Sequence, residues 1–84
     1  MNLSFSKIPN NGTPINLKKE LTIHIDFNKI KNSFSATYKP LNLFVESRKG
    51  AHVINMFTKE FVTLYNQKES LDEKRQKHFD QILK

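Results

Sequence analysis

The 84-residue chain has no cysteine and no tryptophan, and it holds only two glycines, three prolines and two arginines. Without cysteine, disulfides and thiolate metal sites are excluded, and an uncrosslinked cytoplasmic domain is the expectation. Two isolated glycines cannot make a phosphate-cradling loop, so no nucleotide cofactor is expected. No apolar run approaches the roughly 18 residues of a membrane span, and no signal-peptide pattern opens the chain. No membrane partner and no small-molecule substrate are therefore expected.

What is present is enough for a fold. Leu, Ile, Val and Phe supply 25 of the 84 residues, above the roughly 20% below which charged chains stay disordered. One domain with a thin core is the expectation at this length. Fourteen Lys and Arg oppose eight Asp and Glu, a net charge of +6. The excess sits mostly in residues 1–50, with eight basic residues against three acidic. Such a field favours nucleic acid, an anionic membrane or an acidic protein. Lysine outnumbers arginine twelve to two. The planar fork suited to bidentate base and phosphate recognition is thus scarce.

Residues 1–20 read as an N-terminal arm, partly extended, with a short strand near 3–8. Pro9-Asn10-Asn11-Gly12-Thr13-Pro14 is dense turn chemistry. The remainder, 21–84, reads as one domain. Leu21, Ile23, Ile25 and Phe27 alternate with Thr22, His24 and Asp26, a strand pattern. A polar link at 28–32 leads to Phe34, Ala36 and Tyr38, a second strand. Lys39-Pro40 breaks the ladder because proline lacks the N–H. Leu41, Leu43 and Val45 give a third strand.

After Gly50 the spacing becomes helical. Val53, Ile54, Phe57, Phe61, Leu64 and Tyr65 fall within an arc of about 120°, predicting an amphipathic helix over 51–66. Ser70-Leu71-Asp72-Glu73 matches a capping box, predicting a second helix to the C-terminus with Phe79 and Ile82 turned inward. The expected fold class is α+β. It is a three-stranded antiparallel meander packed by one amphipathic helix, plus a C-terminal helix, in the order β-β-β-α-α. The expected core is Leu21, Ile23, Ile25, Phe27, Phe34, Ala36, Tyr38, Leu41, Leu43, Val45, Val53, Ile54, Phe57, Phe61 and Leu64, closed by Phe79 and Ile82.

Three functional readings follow. The first is a non-catalytic protein-interaction module, working with a protein partner or as a homodimer. Its candidate interface residues are Phe44, exposed on an outer strand, and Met56 and Val62, which lie off the helix stripe. The second is a nucleic-acid-binding domain using the loop cations Lys29, Lys31, Arg48 and Lys49. The third is a small hydrolase using His24 and Asp26, a base beside a carboxylate on one strand face. No acid cluster or second histidine accompanies that pair. His24, His52 and His78 lack helical metal-pair spacing, so no metal is expected.

The stretches LTIHIDF, FSATYKPLNLFVES and VINMFTKEFVTLYN, in that order between Leu21 and Asn66, resemble the small HicB-like antitoxin module. In that family a strand is followed by an F-x-A strand, a Pro-Leu link, an L-x-V strand and an amphipathic helix. The resemblance implies a partial RNase H-like sheet. It also implies a role capping a small toxin that cuts mRNA. The DNA-binding segment that many members carry would have to fit in the 18 residues after Asn66, which is too short for a full domain.

Overall fold

The computed structural model describes residues 1–10 and 12–84. Four strands form one antiparallel sheet in chain order: β1 (Asn2–Ile8), β2 (Ile15–Asn28), β3 (Ser33–Tyr38) and β4 (Leu43–Ser47). Helix α1 (Gly50–Asn66) packs on one face, and α2 (Glu73–Ile82) closes the layer. The fold is α+β, as the patterning predicts, but the sheet has four strands and not three. The extra strand comes from the N-terminal segment. There Leu3 pairs with Ile23 and Phe5 with Leu21, and two apolar neighbours on each strand hold the pairing together.

This is the short strand expected near 3–8, but a large bulge hides its pairing with β2 from a period-two reading. Phe5 pairs with Leu21 and Lys7 with Asn16, so Ser6 alone opposes residues 17–20 of β2. The register slips there, and the core residue after Phe5 is Ile8, out of alternation. The slack segment of β2 is held at Leu17, which bridges to Leu83 beyond α2. The Lys84 N–H also donates to the Asn16 carbonyl at 3.3 Å. The turn segment 9–14 includes Asn11, which lies outside the described residues.

Between β3 and β4 the chain makes a 3-10 turn at Lys39–Leu41. Pro40 fits there because its fixed φ suits a turn and no N–H is needed. Asn42 ends the turn in the left-handed region, at φ 55°, donating its N–H to the Lys39 carbonyl. Leu41 is therefore fully buried in a turn, where the alternation placed it in a strand, and β4 begins at Leu43.

The α1 stripe buries Val53, Phe57 and Phe61. Phe57 stacks on Phe5 at 6.2 Å between centroids and meets Tyr38 edge-on at 6.4 Å, so the N-terminal strand and the meander share one aromatic layer. Phe79 of α2 packs edge-on against Phe61 at 5.5 Å. Ile8, Ile15 and Leu17 belong to the core although the patterning omits them. Phe34, Ile54 and Leu64 are half-buried, and Phe27 is 47% exposed. Phe27 lies where β2 runs past the start of α1, so no helix covers it; it leans instead on Phe34, 4.8 Å away.

Helix α2 starts two residues later than the capping box placed it. The cap is Asp72, whose carboxylate accepts the Arg75 N–H. Ser70 lies in a 3-10 turn and donates its hydroxyl to the Gln67 carbonyl. The Arg75 guanidinium beside Asp72 holds that carboxyl below the usual carboxylate range.

Candidate functional site

Strand alternation decides what the outer sheet face shows. With Leu43 and Val45 turned under α1, Phe44 and Glu46 point outward. Phe44 pairs with Thr37, Thr37 with His24, and His24 with Asn2. One row therefore crosses the whole sheet from the β4 edge to the β1 edge. Phe44 ends that row and is 61% exposed. Among the described residues no strand pairs with β4 on its far side. Within Leu43–Ser47 no proline, lysine or bulge interrupts it, whereas β1, the opposite edge, carries the bulge and Lys7. An unprotected edge beside an exposed aromatic is a template for strand addition.

At the centre of the row His24 is held from both sides. Its Nε2 lies 2.9 Å from Asp26 Oδ1 and its Nδ1 3.0 Å from Asn2 Oδ1. Beside it the Ser4 and Thr22 hydroxyls are hydrogen-bonded at 2.9 Å. An open cleft of about 650 Å³ runs along these residues to Thr37, Lys39 and Pro40. The structure thus brings His24 and Asp26 together, and it adds Asn2, which sequence reasoning missed because the β1 pairing was not visible. Both ring nitrogens are occupied, so a proton transfer to substrate would first require one of those bonds to break. The pair and its neighbours make a polar, hydrogen-bonded patch. Among the described residues no group of three or more His, Cys, Asp or Glu is placed to hold a metal ion.

The three candidate interface residues do not share a surface. Phe44 is on the outer face, while Met56 and Val62 are half-buried on α1 and pack against the core from the other layer. Val62 lines a groove with Pro9, Asn10, Thr58 and Lys59. The four loop cations are brought together. Phe34 pairs with Phe27 on one side and with Ser47 on the other, so the β2–β3 and β4–α1 links leave the sheet at one end.

A hydrogen bond between the Tyr38 hydroxyl and His78 Nε2 ties the side chains of α2 to β3. Burial holds the His78 imidazole below its ordinary range and pushes the Tyr38 phenol up. Among the described residues no helix is long and apolar enough to cross a membrane. The chain matches no protein-family model, no curated protein and no solved structure.

Proposed function

We propose that this chain is a small non-catalytic protein-interaction module, working in the cytoplasm either as a HicB-like antitoxin-type partner or as a homodimeric adaptor. The observation that carries the reading is the β4 edge, regular and unpaired among the described residues, with Phe44 standing beside it on the polar outer face. A strand laid along β4 gains backbone hydrogen bonds, and an apolar side chain over Phe44 gains the burial of an aromatic ring. The polar row from Thr37 to Asn2 supplies a rim of hydrogen-bonding groups, the usual surround of an interface centre.

Sedimentation velocity at micromolar concentration, together with capture by the tagged chain, tests this. A dimer or a defined complex is expected, and Phe44→Asp should abolish it while leaving the circular dichroism spectrum unchanged. A strict monomer that captures nothing sinks the proposal. So does a complex that Phe44→Asp leaves intact.

A further inference from the structure

The end of the sheet where the β2–β3 and β4–α1 links emerge has a surface of its own. Lys29 and Lys31 flank Ile30 in the first link, and Arg48 and Lys49 form the second. All four cations are exposed, and neither link contains an acid. The first turn of α1 contains none either. Of the acids in the adjoining strands, Asp26 is held by His24 at 2.9 Å, and Glu46 accepts the hydroxyl of Ser33, the first residue of β3, at 3.1 Å, so one carboxylate stands at the base of the tip against four cations. The tip is therefore a concentrated positive end on a protein whose longest extent is 38 Å.

The tip is convex and fixed in shape. Asn28 Oδ1 accepts the Ile30 N–H at 2.9 Å and the Lys31 N–H at 3.1 Å, and Asn32 turns the chain back at φ 52°. This leaves Ile30 standing out, 97% exposed. A partner must be anionic and must accept a narrow two-stranded ribbon. The major groove of B-DNA admits such a ribbon, whereas the deep, narrow major groove of A-form RNA does not. An anionic bilayer would match the charge, but Ile30 is the one apolar residue of the link, and the half-exposed Phe27 below it leans on Phe34, 4.8 Å away. The neighbours of Ile30 are two lysines and two asparagines, whose polar groups groove edges satisfy and hydrocarbon does not.

We infer that the β2–β3 tip enters the major groove of duplex DNA, with Lys29, Lys31, Arg48 and Lys49 on the flanking phosphates. Binding is then largely independent of sequence, because phosphate contacts dominate and arginine forks are scarce. This inference stands apart from the β4 edge, since it uses a different surface.

Fluorescence anisotropy with a short mixed-sequence DNA duplex tests it. Four phosphate contacts give a slope of about −3.6 in log K against log salt, and Lys29→Gln/Lys31→Gln should reduce it to about −1.8. The same variant should lose at least roughly tenfold in affinity at low salt. Lys18→Gln/Lys19→Gln removes equal charge from the bulged half of β2 and should retain near-parental binding. No binding by the parent at low salt overturns the inference. Equal losses from the two variants overturn it as well, because net charge alone would then explain the attraction. Tighter tip-dependent binding to anionic vesicles or polyglutamate than to the duplex assigns the tip to another surface and also overturns it.

Discussion

Ile8→Ala distinguishes an integral N-terminal strand from a loose arm. Ile8 is fully buried, at 0% exposure, and pairs with Ile15 across the β1–β2 hairpin. Truncating a buried isoleucine to alanine costs about 2–5 kcal/mol, from lost transfer energy and the cavity left behind. A domain of this length holds roughly 4–13 kcal/mol in all, so a loss near 3 kcal/mol is a large share. With a urea m-value of about 1 kcal/mol/M, the unfolding midpoint should fall by about 3 M. The thermal midpoint should fall by roughly 10–20 °C. Lys7→Ala, one residue earlier and exposed, should stay within about 0.5 kcal/mol. Equilibrium unfolding followed by circular dichroism gives both numbers. If Ile8→Ala unfolds within about 0.5 kcal/mol of the parent at unchanged m, β1 contributes little and the shared aromatic layer loses its N-terminal side.

Three further outcomes are expected. Because burial lowers the His78 pKa, the unfolded chain takes up that proton first; its contribution is complete above pH 6.5 and is lost as pH falls from there through the lower folded value. Urea midpoints taken across this window should decline in the parent and flatten in His78→Gln, and parallel curves for the two would refute the assignment. Asn42 sits at φ 55°; Asn42→Gly should be near neutral and Asn42→Val should cost about 1–2 kcal/mol, so equal midpoints would mean the turn is unstrained. A Cβ on Gly50 would meet the Phe34 ring at 3.9 Å, an ordinary contact. Gly50→Ala should therefore stabilise by about 0.4–1 kcal/mol, and a lower thermal midpoint would contradict an unstrained contact with Phe34.

Where local spacing and burial agree, the order of elements was readable from residue types alone. Leu21 to Ile25 alternate and are buried, and Val53, Phe57 and Phe61 recur every four residues on the buried side of α1. The same reasoning exposed Phe44, because Leu43 and Val45 claim the core face. It expected the strand near 3–8 but left Leu3, Phe5 and Ile8 out of the core, since a bulge changes parity and only the pairing partner on β2 reveals where. It failed at Phe27 because alternation sets which face a side chain takes, while the reach of α1 sets whether that face is covered. It placed the cap of α2 at Ser70 because Ser-x-x-Glu is a local signal, and the 3-10 turn over Lys68–Ser70 moved the cap to Asp72.

The candidate surfaces divide in the same way. The exposure of Phe44 and the charge of each loop are properties of short segments, so composition and period determined them. The meeting of Asn2 with His24 and of Tyr38 with His78 spans 22 and 40 residues. The gathering of Lys29 and Lys31 with Arg48 and Lys49 likewise depends on the register of three strands. Contacts at such separations depend on how strands pair and where a bulge absorbs the slack, and only the tertiary structure decides that.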